Sequence, residues 1–171
     1  MFSSSETVMT QHRLFIVDSS AFLSGKLLTF FEPMVTTESV KKELRRLGKE
    51  DVLSNYPNII YTYPSEKDIE SAKELAKQTG DLKRLSSTDI ELIALAIKMK
   101  GTVVSDDYSI QNICKKAHIP YLSLSEKGIS ELVKWKLRCR GCGRYLDEKE
   151  IDEKTERCPV CGSKLRLVRR R

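Results

Sequence analysis

Four of the five cysteines form two Cys-x-x-Cys pairs in the last fifth of the chain: Cys139, Cys142, Cys158 and Cys161. Four thiolates can surround one Zn²⁺ ion tetrahedrally, and each pair presents two sulfurs to the same ion. The pattern predicts a structural zinc ribbon whose folding depends largely on the metal. A closed shell of four sulfurs leaves no open coordination position, so we expect no catalysis at this ion. A redox-active dithiol is the alternative interpretation.

A second set of residues that could do chemistry consists of acids at the ends of predicted strands or near buried helix faces. They are Asp18, Glu43, Asp89, Asp106 and Asp107. Carboxylates that converge repel one another unless a divalent cation neutralises them, and oxygen ligands suit Mg²⁺ or Mn²⁺. Such an ion can activate water against a phosphodiester bond. Taken singly, Asp18 is equally a turn residue and Asp89 equally a helix N-terminal acid, whereas Glu43 fits better as a solvated helix residue.

The elements that must position these acids follow from hydrophobic periodicity and from turn residues. Short apolar runs predict strands at 14–17, 34–35, 58–63, 101–105 and 121–124. Apolar residues at helical spacing predict helices around 40–47, 65–80, 88–97, 110–117 and 126–133. Capping boxes are predicted at Ser65-x-x-Asp68 and Thr88-x-x-Glu91. Strands that alternate with helices indicate an α/β fold, with a mostly parallel central sheet flanked by helices.

Positive charge is concentrated near the end of the chain. Residues 138–171 contain 11 Lys and Arg against 6 Asp and Glu, whereas the chain as a whole has a net charge of +6. This asymmetry predicts an anionic partner, most naturally RNA, although a basic tail can also serve solubility or bind a protein. The candidate RNA-binding residues are Arg138, Arg140, Arg144, Lys164, Arg166, Arg169, Arg170 and Arg171. No apolar run approaches membrane-spanning length, and we expect a cytoplasmic protein.

Four short motifs occur in order along residues 13–134. They are Asp18-Ser19-Ser20-Ala21-Phe22 after a buried strand, Glu43-Leu44 late in a helix, Ser87-Thr88-Asp89 opening an apolar helix, and Val104-Ser105-Asp106-Asp107-Tyr108 after a strand. This ordered set resembles the motifs of the PIN nucleases. With Thr79-Gly80-Asp81 before Leu85-Ser86 and the four-cysteine ribbon, the whole chain resembles the Nin-one-binding (NOB) family in its short archaeal form.

The resemblance implies a metal-dependent endoribonuclease that cleaves precursor small-subunit ribosomal RNA near its 3′ end. Its catalytic carboxylates would be Asp18, Glu43, Asp89 and Asp107, of which Asp18, Asp89 and Asp107 would bind Mg²⁺ or Mn²⁺. The family pattern places the acid two residues after Ser105 and thereby favours Asp107. Asp106 is a further candidate, either as a second ligand or only as an acid at the strand end. The implied partners are the RNA, the precursor of the small ribosomal subunit and assembly-factor proteins. The alternatives are a non-catalytic RNA- or ribosome-binding assembly factor on the same scaffold and a PIN-type toxin ribonuclease.

These predictions divide the chain into five segments. We expect an N-terminal tail at 1–12, a PIN-like nuclease domain at 13–134, a linker at 135–138, a zinc ribbon at 139–165 and a basic tail at 166–171. The boundary is placed where the apolar periodicity gives way to cysteine, glycine and charged residues. Trp135 is interpreted mainly as a packing anchor at the junction, with stacking on an RNA base as the alternative.

Overall fold

A computed structural model of the chain describes residues 14–29, 33–125, 134–147, 150–152 and 154–170. The predicted helix at 126–133 lies outside the described residues, as do the whole predicted N-terminal tail at 1–12 and Arg171.

Five parallel strands form the central sheet of the described part of the chain, which confirms the predicted fold class. They are β1 (Phe15–Val17), β2 (Met34–Thr36), β3 (Ile60–Tyr61), β4 (Thr102–Val104) and β5 (Tyr121–Leu122). The strand order is β3-β2-β1-β4-β5, with β1 paired to β2 and β4. After β1, the chain adds β2 and β3 on one side of it. The chain then crosses over β1 and adds β4 and β5 on the other side. In sheets of this kind, ligands bind at the carboxyl ends of the strands where the direction reverses. Here that point lies between β1 and β4.

In the described residues, five α-helices accompany the sheet. They are α1 (Ser19–Leu23), α2 (Glu38–Arg46), α3 (Glu66–Thr79), α4 (Ser87–Met99) and α5 (Tyr108–Lys116). Two 3₁₀ segments, at Lys26–Thr29 and Glu50–Asn55, complete this part of the chain. The short helix α1 was not predicted, because five residues are too few to show a helical period.

The core of the α/β part of the chain is centred on β1, β4 and α4. All three residues of β1 are buried, and the middle of α4 is buried on most of its circumference, from Ile90 to Ala96 with only Glu91 partly exposed. This agrees with the prediction that the apolar helix is central. Because the strands bordering the crevice are short and buried on both faces, the residues that follow them are held by a rigid base.

The cap of α4 differs from the predicted one. Ser86 is the N-cap, and its side chain and backbone exchange hydrogen bonds with Asp89, three residues later. The predicted Thr88-x-x-Glu91 box was therefore wrong by two residues. The Asp89 carboxylate accepts the backbone N–H of Ser86, and the Ser86 hydroxyl accepts that of Asp89, which are the two reciprocal bonds of a capping box. The box at Ser65 and Asp68 is formed as predicted.

The carboxyl-terminal part of the chain is built on an antiparallel hairpin of β6 (Lys134–Cys139) and β7 (Leu165–Arg170). The expected linker at 135–138 thus lies within β6, and most of the expected basic tail at 166–171 lies within β7. The alternation of Trp135, Leu137 and Cys139 with basic residues is a strand pattern in which Lys and Arg occupy one face. On the other face, Leu137 packs in a small core with Leu146, Ile151, Leu165 and Leu167.

Candidate active site and zinc centre

Asp18 lies directly after β1 at the crevice and is only 4% exposed. One oxygen, Oδ1, accepts hydrogen bonds from the backbone N–H of Ser19 at 2.7 Å and from its hydroxyl at 3.3 Å. The other oxygen, Oδ2, accepts from the hydroxyls of Ser20 at 2.7 Å and Ser105 at 2.9 Å. A buried carboxylate is tolerated when its oxygens are satisfied in this way. The arrangement holds Asp18 in one orientation at the end of the strand.

Ser105 joins the ends of the two strands that border the crevice. Its hydroxyl donates to Asp18 and also accepts the backbone N–H of Asp107 at 3.0 Å. Asp107 in turn is the N-cap of α5, where its Oδ1 accepts the N–H groups of Ser109 at 2.6 Å and Ile110 at 3.3 Å. Asp107 is exposed, and no hydrogen bond described in the structure engages its second oxygen. A single hydroxyl therefore sets the position of two predicted metal ligands.

The carboxylate of Asp106 is directed toward a different part of the molecule. Its Oδ1 accepts hydrogen bonds from the Ser123 hydroxyl at 2.8 Å and from the N–H groups of Leu124 and Ser125, each at 2.9 Å. Partial burial acts to raise the pKa of Asp106, but these donors together hold it below its ordinary value. The side chain fixes the loop after β5, which favours Asp107 as the metal-binding acid.

Asp89 reaches the same region from the first turn of α4. Burial raises the pKa of its carboxyl to about 6, although the backbone and hydroxyl of Ser86 act to lower it. The negative charges of Asp18 and Asp107 add to the rise, which places the three carboxylates within electrostatic reach of one another. A divalent cation would remove this mutual repulsion. The chemistry of the donor set, three oxygen ligands at a strand-end crevice, fits Mg²⁺ or Mn²⁺.

Glu43 makes no described contact with the other three candidate carboxylates. It lies on α2 beside the buried Leu44 and is half-buried, and no hydrogen bond described in the structure joins it to Asp18, Asp89 or Asp107. Over the described ranges, the four cysteines are the one group of three or more His, Cys, Asp or Glu side chains close enough to hold a metal. The three aspartates are therefore within electrostatic reach of one another, but their oxygens do not converge closely enough to surround one ion. The role of Glu43 stays a prediction.

Two residues that support the site were not assigned a role from the sequence. Ser20 donates to Asp18 and accepts the backbone N–H of Asp106 at 3.1 Å, so it is a second link between the two strand ends. Asp81 is fully buried, and its Oδ2 accepts from the Asn112 amide of α5 at 2.6 Å. Burial raises the pKa of Asp81. The repeated serine after Asp18 and the Thr79-Gly80-Asp81 motif were the available signs in the sequence.

The four cysteine sulfurs lie within 4.8 Å of one another. The Sγ atoms of Cys142 and Cys158 are 3.8 Å apart, and those of Cys139 and Cys161 are 3.3 Å apart. Tetrahedral zinc with bonds of about 2.3 Å requires sulfur separations of about 3.8 Å, so the cluster fits Zn²⁺. Gly141 is needed beside it, because a Cβ at that position would lie 2.3 Å from the Ser163 hydroxyl oxygen.

The close sulfurs shift the pKa values of one another's thiols in opposite directions. The hydroxyl and backbone N–H of Ser163 lower the pKa of Cys161 to about 5, which favours the thiolate that zinc binds. The N–H of Arg144 acts to lower the pKa of Cys142, but burial and the other cysteines raise it to about 11. Four thiolates at this separation are stable together only around a positive charge.

The predicted RNA-binding residues fall into two groups. Arg138 and Arg144 make internal contacts: the guanidinium of Arg138 lies 5.6 Å from the Tyr145 ring, and Arg144 pairs with Glu150 at 2.9 Å. Exposed positions are held by Arg140, Lys164, Arg166 and Arg169. The side chain of Arg170, and Arg171 as a whole, lie outside what the structure describes.

Strand register brings like charges together on one face of the hairpin. Arg138 is paired directly with Arg166 across β6 and β7, and Lys136 is on the same face two residues away. Directly opposed like charges destabilise an antiparallel pair unless an anion binds between them. The face therefore suits a polyanionic partner. Separately, no helix in the described parts of the chain has the length and hydrophobicity needed to cross a membrane.

Comparison with known proteins was made against families and individual sequences. The family described as the PIN domain of ribonuclease matches residues 15–99. Endoribonuclease Nob1 of Pyrococcus abyssi is 32% identical over 91% of this chain and 94% of its own length. Endoribonuclease Nob1 of Archaeoglobus fulgidus is 35% identical over 91% of this chain and 90% of its own. Ribonuclease VapC1 of Thermoplasma acidophilum is 32% identical over 90% of this chain and 77% of its own.

Proposed function

Because this chain belongs to the Nob1 endoribonuclease family and is an endoribonuclease, we propose that its substrate is precursor small-subunit ribosomal RNA, cut near the 3′ end. The proposal includes dependence on Mg²⁺ or Mn²⁺, and binding to the precursor of the small ribosomal subunit. It rests on the family relationship for the substrate and on the crevice between β1 and β4 for the chemistry.

The observation that carries the catalytic part is the hydrogen-bonded link from Asp18 through Ser105 to Asp107. It sets two carboxylates at the point of the sheet where ligands are expected, and Asp89 joins them from α4. Asp18, Asp89 and Asp107 would hold the metal, with Glu43 as a further candidate. When bound, a divalent ion of this type lowers the pKa of water and stabilises the charge that develops on the phosphate oxygens.

The residues of the chain then have distinct tasks. The Ser19, Ser20 and Ser105 hydroxyls keep the oxygens of Asp18 in place, so that the carboxylate does not reorganise during the reaction. The cap that Asp107 makes on α5 fixes one of its oxygens. That cap leaves its other oxygen for the crevice.

The hairpin would hold the RNA. Side chains two residues apart on one strand face are about 6.8 Å apart, which is close to the spacing of successive phosphates along an extended RNA strand. The opposed pair Arg138 and Arg166, together with Lys136, presents three positive charges on that face. Arg140, Lys164, Arg169, Arg170 and Arg171 would add further phosphate contacts, and salt would weaken binding accordingly.

The decisive experiment incubates the zinc-loaded chain with precursor small-subunit RNA, with Mn²⁺ or without added Mg²⁺ and Mn²⁺, and maps the new RNA ends. We expect one main cut near the 3′ end that requires the divalent ion. Asp18→Asn should abolish the cut while RNA affinity is retained, and Asp51→Asn, an exposed acid on a 3₁₀ segment, is the matched control. Tight binding without any cut by the wild type would support the non-catalytic assembly factor instead.

A further inference from the structure

Arg84 connects the zinc-ribbon hairpin with the nuclease site. It lies in the loop between α3 and α4, and its guanidinium carbon is 4.2 Å from the centre of the Trp135 ring on β6. Its Nε–H donates to the Ser109 hydroxyl of α5 at 3.1 Å. One planar side chain therefore stacks on the ribbon and hydrogen-bonds to the nuclease domain at the same time.

Ser109 leads directly to the active site. Its backbone N–H donates to Oδ1 of Asp107 at 2.6 Å, the shorter of the two bonds with which Asp107 caps α5. Ser109 is buried, so its position depends on the groups packed around it. Trp135, Arg84, Ser109 and Asp107 thus form a continuous chain of contacts from β6 to a proposed metal ligand.

The loop that carries Arg84 is fixed at two other points. The carbonyl oxygen of Trp135 approaches Gly80 so closely that a Cβ there would lie 2.0 Å away. Asp81, fully buried, binds Asn112 of α5 through Oδ2, and its carbonyl accepts the N–H of Arg84 at 2.7 Å. These contacts hold the loop against both β6 and α5, so that a shift of β6 is transmitted through the loop to α5.

We propose that Arg84 is a positioning residue, which sets Asp107 in its metal-binding orientation according to the position of β6. The inference rests on the proposed function, because it assumes that Asp107 binds the catalytic ion. It assigns the ribbon a second task besides holding RNA. The stack of Trp135 on Arg84 makes metal binding in the nuclease domain depend on the docked hairpin.

A direct contact between Arg84 and an RNA phosphate is the rival explanation, because Arg84 is exposed and positively charged. The two roles respond differently to Arg84→Lys. A lysine keeps the charge that a phosphate needs, but it cannot stack a planar group on Trp135 and direct an Nε–H at Ser109 together. A positioning role is therefore lost with lysine, whereas a phosphate contact is largely rescued.

The test uses the full-length, zinc-loaded chain and compares wild type, Arg84→Lys, Trp135→Leu and the double variant, with Arg45→Lys as control. Arg45 also makes a defined contact, to Glu50, but on an exposed surface of α2. Mn²⁺ affinity is measured by calorimetry without RNA, and kcat and KM are measured with precursor RNA. We expect Arg84→Lys to weaken Mn²⁺ binding about tenfold and to lower kcat at subsaturating Mn²⁺, with KM for RNA unchanged.

Trp135→Leu should produce a similar loss, and the double variant should be little worse than either single variant, because both act through one contact. Wild-type Mn²⁺ affinity in Arg84→Lys would overturn the inference, as would a loss confined to KM. Full additivity in the double variant would separate Arg84 from Trp135 and also overturn it. A wild-type chain that binds Mn²⁺ but cuts no RNA would count against the proposed function, and the binding data would still decide the role of Arg84.

Discussion

Asp89 and Asp68 occupy the same position in two capping boxes, yet their acidities are shifted in opposite directions. Each is the third residue of its helix and accepts the N–H of the N-cap serine. Burial raises the pKa of Asp89 to about 6, whereas the hydroxyl and N–H of Ser65, with Lys98, lower that of Asp68 to about 2. We therefore expect Asp→Asn to have opposite effects on stability at the two sites.

For Asp89, the sign of the effect on the free energy of unfolding follows from the linkage between folding and proton binding. The folded chain binds the proton more tightly than the unfolded chain, whose carboxyl has the ordinary pKa of 3.8. Ionisation therefore destabilises the fold, with the whole penalty present above pH 6 and none below pH 3.8. The difference between the folded and unfolded pKa values corresponds to about 3 kcal/mol of lost stability. We use about 2 kcal/mol for this loss, because the carboxylate retains some exposure to water. Asn keeps the acceptor oxygen for the cap without the charge.

Asp89→Asn should thus raise the melting temperature by about 6 °C at pH 7.5 in buffer that contains no Mg²⁺ or Mn²⁺. At pH 5 this rise in melting temperature should fall to about half, because the Asp89 carboxyl of the wild type is then mostly protonated in the folded state. Mn²⁺ should stabilise the wild type but not the variant. Asp68→Asn should lower stability at pH 7.5. A destabilised Asp89→Asn variant, or a gain independent of pH, would refute the reasoning.

Three further predictions concern packing, zinc and RNA. Gly80→Ala should cost about 2 kcal/mol or more in urea unfolding, because its Cβ would meet the Trp135 carbonyl, whereas Gly25→Ala should show only the smaller cost of its positive φ. Cys158→Ser should reduce bound zinc from one ion per chain to a fraction and abolish tight RNA binding, as read by metal analysis and filter binding. Arg166→Gln should reduce the slope of log affinity against log salt by about 1.

Much of the nuclease fold could be predicted from local pattern, because short apolar runs and an apolar helix have few alternatives in an α/β chain. The placement of Asp18 and Asp107 followed from the rule that strand ends meet at one edge of a parallel sheet. The true cap of α4 could not be predicted with certainty, because Ser86, Ser87 and Thr88 are all good N-caps and only tertiary packing selects among them.

The ribbon was harder to delimit. The four cysteines that the structure brings together were evident from their spacing, but β6 and β7 carry a basic face that does not resemble an ordinary strand pattern. Charge composition therefore suggested a linker and a tail where the chain forms a hairpin. The role proposed for Arg84 also could not be predicted, because it depends on contacts with Ser109 and Trp135, which are 25 and 51 positions away along the chain.

The central claim is that Asp18, Asp89 and Asp107 hold a hard divalent ion at the crevice between β1 and β4. Anomalous diffraction at the manganese edge, from crystals of the zinc-loaded chain equilibrated with Mn²⁺, tests it directly. The account predicts an anomalous peak in contact with carboxylate oxygens of Asp18 and Asp107. Well-ordered Asp18 and Asp107 side chains with no anomalous peak between their carboxylates would contradict it, as would a peak only at a distant surface.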